Sequence, residues 1–231
     1  MPRSKLSLSI YNKLSAGAHF LFPKTGIKYK MEYLYWWNKK RQEKTLTNFH
    51  YEHFYTSYFG LTAENYKAKK VLDIGCGPRG SLEWATEAEA YGLDPLVDEY
   101  KKLGIDQHQM KYVKAGCEQI PFENDTFDII ASFNSLDHVD ELDLSIKEIK
   151  RVLKPTGFFL LISDIHDHPT MCEPSAFSWD IVKRFSPELQ LVSEKQYEGE
   201  KLYQSIREGV KFDHNNSQKR YGVLTALFKK V

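Results

Sequence analysis

Cysteine is scarce in this sequence. The 231 residues contain three cysteines, Cys76, Cys117 and Cys172, and no two of them form a C-x-x-C pair. This excludes a disulfide-stapled scaffold and the usual zinc-ligand spacings. It favours a reducing compartment, so we expect a cytoplasmic protein.

Long apolar runs and an excess of charge are also missing. No stretch approaches the 18 or so unbroken apolar residues of a membrane helix, so we expect no membrane span. The net charge is +1, divided between +6 in residues 1–31 and 26 − 31 = −5 in the remaining 200 residues. A negative main body argues against a nucleic-acid partner. Nothing in the pattern predicts an oligomeric state.

The basic, acid-free start allows several interpretations. It resembles an organelle transit peptide, or a secretory signal with a small-residue site at Ala16–Ala18. Lys13 interrupts the apolar run and weakens the secretory interpretation. A mobile arm or the first helix of a cap is the interpretation we favour.

The sequence pattern changes near residue 69. Residues 1–68 are aromatic and basic, with a helix predicted at 43–59, and we expect them to form an N-terminal helical cap or lid. Residues 69–231 alternate short apolar runs with helical patterns. Strands are predicted at 70–75, 90–94, 111–115, 127–133, 157–163, 189–197 and 221–230, and helices at 80–89, 96–103, 140–152 and 176–185. Such alternation predicts an α/β fold with a doubly wound, mostly parallel sheet of the Rossmann-like type.

The most informative local motif is the segment 71–80, V-L-D-I-G-C-G-P-R-G. It places G-x-G-x-x-G between a predicted strand and a predicted helix, where glycines permit a tight turn and close ligand approach. Asp73, two residues before the first glycine, would repel a pyrophosphate and attract a cation such as the ammonium of an amino acid. This disfavours an NAD(P)-dependent oxidoreductase.

A second acid follows at the end of the next predicted strand. Asp94 lies nineteen residues after Gly75, where a carboxylate can accept hydrogen bonds from ribose hydroxyls. The alternative is an N-cap for the helix predicted at 96–103.

Four sequence blocks together resemble the class I S-adenosylmethionine (SAM)-dependent methyltransferases, in particular the methyltransferase type 11 group. They are the 71–80 motif, the acid Asp94, A-G-C-E-Q-I-P-F with D-T-F-D-I-I within 115–130, and E-I-K-R-V-L-K-P-T-G-F-F-L-L-I at 148–162. The resemblance implies a seven-stranded sheet with a final antiparallel strand. It also implies SAM as cofactor and S-adenosylhomocysteine (SAH) as product.

The resemblance also implies a set of cofactor-binding residues. They are Asp73, Gly75, Cys76 and Gly77 at the methionyl group, Asp94 and Pro95 at the ribose, Cys117 and Glu118 at the adenine, and Asn134 near the methyl group. The chain departs from the pattern at Gly116-Cys117, where the family often has Asp-Ala. Either Glu118 replaces the missing acceptor, or the Cys117 backbone N–H recognises adenine alone. A SAM-binding protein without catalysis is therefore a second possibility.

The methyl acceptor should lie beyond the carboxyl ends of the strands. His138 and His166 follow the fourth and fifth predicted strands and are the candidate catalytic residues, since histidine can take a proton at neutral pH. His166, Asp167, His168 and Glu173 resemble a metal-ligand cluster, but we expect no metal. The aromatic run at 33–37 is either a lid over a small-molecule acceptor or the packing side of the cap.

Overall fold

The computed structural model describes residues 26–166, 176–216 and 221–231. The helices are α1 (Ile27–Glu43), α2 (Glu52–Tyr55), α3 (Val97–Lys101), α4 (Leu142–Val152) and α5 (Leu202–Glu208). The strands are β1 (Lys70–Ile74), β2 (Glu89–Leu93), β3 (Lys111–Val113), β4 (Phe127–Phe133), β5 (Leu153–Ile165), β6 (Leu189–Glu198) and β7 (Gly222–Lys230). Short 3₁₀ segments include Phe49–Tyr51, Ser57–Phe59, Leu136–His138 and Trp179–Phe185.

The seven strands form one sheet in the order β3-β2-β1-β4-β5-β7-β6. The first five pair in parallel, and β7 runs antiparallel to both β5 and β6. The predicted doubly wound sheet with its antiparallel final strand is therefore confirmed. The strand order reverses between β1 and β4, and this switch point opens a crevice at the carboxyl ends of the two strands.

Apolar side chains cover both faces of the sheet. On one face, α4 and the segment Trp179–Phe185 pack through residues such as Ile146, Ile149 and Phe185. On the other face lie aromatic residues of 54–66 and helix α5. The helix predicted at 140–152 is confirmed as α4, and its apolar residues Ile146 and Ile149 are buried.

The predicted helix at 43–59 is wrong. The long helix of this region is α1, which ends at Glu43, and only single turns follow it. Thr56 leaves the helical region, with ψ −102°, and its hydroxyl donates to the Glu52 carbonyl at 3.0 Å. A hydroxyl bonded to the preceding turn bends a helix. Burial of Phe54 and Tyr55 against the sheet outweighs the helical pattern here.

The predicted helix at 80–89 is also wrong. Residues 80–88 form successive turns, with Glu83, Ala85 and Ala88 each bonding the carbonyl three residues earlier. The Glu83 carboxylate accepts the backbone N–H groups of Gln109 and Met110 at 2.8–3.0 Å. Tertiary contacts of this kind override helix propensity. The segment predicted as a helix at 176–185 is largely a 3₁₀ run, and the helix predicted at 96–103 is limited to α3.

None of the helices in the described ranges is both long and apolar enough to cross a bilayer.

Candidate active site

A cavity of about 1280 Å³ opens at the carboxyl ends of the parallel strands, beside the switch point. Its walls bring together all the site residues predicted from the sequence: Asp73, Gly75, Cys76, Gly77, Asp94, Pro95, Cys117, Glu118, Asn134, His138 and His166. The cavity is larger than the roughly 300–1,000 Å³ of typical small-ligand pockets. It therefore has room for a cofactor and a small second ligand.

The glycine-rich turn after β1 uses positive φ angles, which residues with a Cβ rarely adopt. Gly75 and Gly77 have φ of +67° and +56°, in the left-handed region that favours glycine. A Cβ on Gly75 would lie 2.2 Å from the Ser135 Cβ. The loops after β1 and β4 therefore touch at this point, and only glycine allows the contact.

Asp73 lies near the carboxyl end of β1, with its side chain held by two hydroxyl groups. It is 2% exposed, and its Oδ2 accepts hydrogen bonds from Ser81 and, at 3.2 Å, from the Tyr55 hydroxyl. Burial raises the pKa of Asp73 to about 7, against the opposing effect of these hydrogen bonds. A buried carboxylate with so high a pKa is suited to a cationic ligand, which would favour its ionised form.

Asp94 follows β2, and its carboxylate accepts backbone hydrogen bonds from two different loops. Its Oδ1 accepts the backbone N–H of Leu96 at 2.9 Å, and its Oδ2 accepts that of Gly77 at 3.2 Å. The cap residue of α3 is Leu96, and Asp94 holds the turn before this helix through the Leu96 N–H, which leaves its second oxygen directed to Gly77. Burial, aided by the charge of Glu32, raises the pKa of Asp94 to about 7.

Glu118 anchors the loop at 115–118, where adenine binding was predicted from the sequence. Glu118 Oε1 accepts the backbone N–H of Asp140 at 2.8 Å, which ties it to the loop before α4. Its Oε2 lies 2.5 Å from where a Cβ on Gly116 would stand. A side chain at 116 would meet this carboxylate, the flexible end of Glu118, which would have to move to make room. Cys117 is buried, with its Sγ 3.8 Å from the Ser145 carbonyl.

Helix α1 covers the cavity from the side opposite the sheet. The Trp36 ring would lie 3.1 Å from a Cβ on Gly77. Arg79 donates to both carboxylate oxygens of Glu43, at 2.9 and 2.7 Å. Near the other end, Lys28 donates to the His138 carbonyl at 2.8 Å. The helix is therefore attached to the loops that follow β1 and β4.

The loops after β4 and β5 supply the predicted catalytic residues. Asn134 adopts φ +53° and donates its N–H to the Ile162 carbonyl at 2.7 Å. His138 is partly exposed, with its Nε2 4.0 Å from Oδ1 of the buried Asp137. His166 is 4% exposed and lies 6.1 Å from Tyr221, ring centre to ring centre.

Aromatic rings form much of the remaining wall near these histidines. Tyr51 stacks on Tyr203 at 4.5 Å between ring centres, and Tyr55 lies 4.5 Å from Phe133. Sequence reasoning did not identify Tyr55 or Tyr203, which come from distant parts of the chain. It did identify the aromatic run at 33–37, and Tyr35 and Trp36 of that run line the cavity.

The described residues contain no cluster of metal-ligating side chains. Within residues 26–166, 176–216 and 221–231, no group of three or more His, Cys, Asp or Glu side chains is arranged to hold a metal ion. Asp167, His168 and Glu173 lie outside the described residues.

Comparisons with known proteins match part of this chain to methyltransferases. Residues 72–161 match the family model described as a methyltransferase domain. The sterol 4-C-methyltransferase of Caenorhabditis elegans is 35% identical over 99 residues, which cover 39% of this chain and 29% of that protein. The tocopherol O-methyltransferase of Arabidopsis thaliana is 29% identical over 126 residues, covering 51% and 36%. The chain thus spans about a third of the length of the curated relatives it matches.

Solved structures share the fold. The YcgJ protein of Bacillus subtilis superposes with a TM-score of 0.53 at 16% identity, covering 73% of this chain and 95% of that one. A Listeria monocytogenes protein assigned as a SAM-dependent methyltransferase gives 0.51 at 18% identity, covering 72% and 93%. At such identities the likeness shows the architecture alone.

Proposed function

We propose that this chain, whose residues 72–161 form a methyltransferase domain of the class I SAM-dependent type, transfers a methyl group from SAM to an oxygen or nitrogen atom of a small molecule. The observation that carries the proposal is the pair of buried carboxylates, Asp73 and Asp94, that flank the positive-φ glycine turn in one large cavity.

The residues present fit SAM better than a dinucleotide. Asp73 would meet the ammonium of the methionyl group, and Asp94 would accept ribose hydroxyls. A pyrophosphate at this turn would face the buried carboxylate of Asp73, which is electrostatically unfavourable. Cys117 and Glu118 would border the adenine, and Asn134 would lie near the reacting methyl group.

SAM supplies an already activated methyl group on a sulfonium, so alignment and exclusion of water can provide much of the rate. The acceptor atom forms a bond to the methyl carbon as the carbon–sulfur bond breaks and its electron pair passes to sulfur. We assign His138 as the base that takes the acceptor proton at Nδ1, the ring nitrogen opposite the Nε2 that faces the buried Asp137 at 4.0 Å. His166 would contact the acceptor.

A small molecule is the acceptor class that the aromatic-lined cavity favours. The sterol and tocopherol methyltransferases among the relatives have names that fit this class. In this proposal residues 1–68 act as a helical cap on the core of residues 69–231, and the described part of the cap includes α1.

The decisive experiment is calorimetric titration of the purified protein with SAM, SAH and NADH in parallel. Binding of SAM and SAH without NADH is the expected result. A panel of alcohols, phenols and amines with methyl-labelled SAM then tests transfer. Binding of NADH alone would refute the proposal, and SAM binding without transfer to any acceptor would favour a non-catalytic role.

A further inference from the structure

Helix α1 brings a second carboxylate to the ribose end of the cavity. Glu32 lines the cavity together with Asp94 and the buried Tyr100 of α3. Its negative charge contributes to raising the pKa of both Asp94 and Tyr100, after burial. Contacts connect the two carboxylates as well: the Trp36 indole that bonds Glu32 lies over Gly77, whose backbone N–H bonds Asp94.

The Glu32 carboxylate is oriented by its own helix. Trp36, one turn later, donates its indole N–H to Glu32 Oε1 at 2.7 Å. The same indole ring covers Gly77, and the Arg79 guanidinium lies 5.4 Å from its centre. The orientation of Glu32 is thus linked to the glycine turn.

Asp94 is already engaged on both oxygens, by the backbone N–H groups of Leu96 and Gly77. A ribose presents two hydroxyl donors. Each carboxylate oxygen has roughly two acceptor directions, so Asp94 could accept both hydroxyls only by using every remaining lone pair. A second carboxylate would give one hydroxyl its own acceptor.

Two carboxylates facing one space repel each other unless donors or a cation lie between them. We propose that Glu32 is a cofactor-binding residue that accepts a hydrogen bond from one ribose hydroxyl of SAM, while Asp94 accepts one from the other. The ribose is then held between the sheet and α1. This inference rests on the proposed function, because it takes SAM as the occupant.

The test compares SAH with its 2′-deoxy and 3′-deoxy analogues by calorimetry. In the wild-type protein, loss of the hydroxyl that meets Glu32 should weaken binding by about tenfold, as expected for a charge-assisted hydrogen bond. In Glu32→Leu, SAH should bind about tenfold more weakly, and that analogue should bind nearly as well as SAH. Glu32→Gln should fall between the two.

The matched control is Glu43→Gln, which removes a carboxylate from the same helix but at the Arg79 contact. If it loosens α1, it should weaken SAH and both analogues by the same factor. An equal loss for all three ligands in Glu32→Leu, with a normal melting curve, would overturn the inference and leave SAM binding intact. Failure of the wild-type protein to bind SAH would overturn the proposed function as well.

Discussion

The stability of the ligand-free protein should fall as pH rises, because Asp94 is buried with its pKa raised to about 7. An aspartate in the unfolded chain titrates near 3.9. Between these two pKa values the folded state holds a proton that the unfolded state has released. The stabilisation that this proton gives the folded state is therefore complete below about pH 4 and is lost as pH rises through 7. The full effect is on the order of 4 kcal/mol, of which on the order of 3 kcal/mol lies between pH 5 and pH 8.

The variant Asp94→Asn removes this titration while keeping the shape of the side chain. We expect its unfolding free energy in urea, relative to that of the wild-type protein, to rise by on the order of 3 kcal/mol from pH 5 to pH 8. Groups that do not interact with Asp94 cancel in the difference. The charge of Asp94 contributes to the raised pKa of Asp73, so both proteins are compared in an Asp73→Asn background. Saturating SAH should reduce the wild-type slope, because ribose donors favour the ionised carboxylate. Parallel pH profiles for the two ligand-free proteins would refute the reasoning.

Three further outcomes are expected. Gly77→Ala should weaken SAM binding, measured by calorimetry, because a Cβ there meets the Trp36 ring at 3.1 Å in a strained backbone. In a Trp36→Ala background the same substitution should cost less SAM affinity, and an unchanged loss of affinity would contradict the contact. Gly116→Ala should weaken SAM binding less than Gly77→Ala does, because its Cβ meets only the end of the flexible Glu118 side chain; an equal loss of affinity would contradict this reasoning. His138→Gln should lower kcat by about 100-fold or more with little change in SAM affinity if His138 is the base, and an unchanged kcat in a methyl-transfer assay would remove it from that role.

Those parts of the site that depend on short-range geometry could be predicted from the sequence. Asp73, Gly75 and Asp94 each lie at or just after the end of a strand with a clear apolar pattern. Once parallel pairing was predicted, these residues had to meet at one edge of the sheet. The alternation of strands and helices predicted the doubly wound α/β class, whereas the seven-stranded sheet with its antiparallel strand was implied by the family resemblance.

Features that depend on long-range packing could not be predicted. Helix α1 has exposed aromatic residues such as Tyr35 and Trp37 and no single apolar stripe, so its pattern does not reveal which side faces the core. The contributions of Glu32 and Tyr55 to the cavity follow only from where the cap packs. The Thr56 break and the Glu83 contacts ended two predicted helices for the same reason.

Strand β7 comes last in the order of strands along the chain but lies inside the sheet, between β5 and β6. During synthesis β5 and β6 emerge before β7. They are not neighbours in the sheet, so each has an unpaired edge until β7 pairs with it. Pairing of β7 with β5 joins residues up to 71 positions apart, such as Phe158 and Lys229, whereas β6 and β7 pair over shorter separations. Long-range pairing is slow in folding, so the unpaired edge of β5 is the part of the sheet most exposed to aggregation until β7 has paired with it.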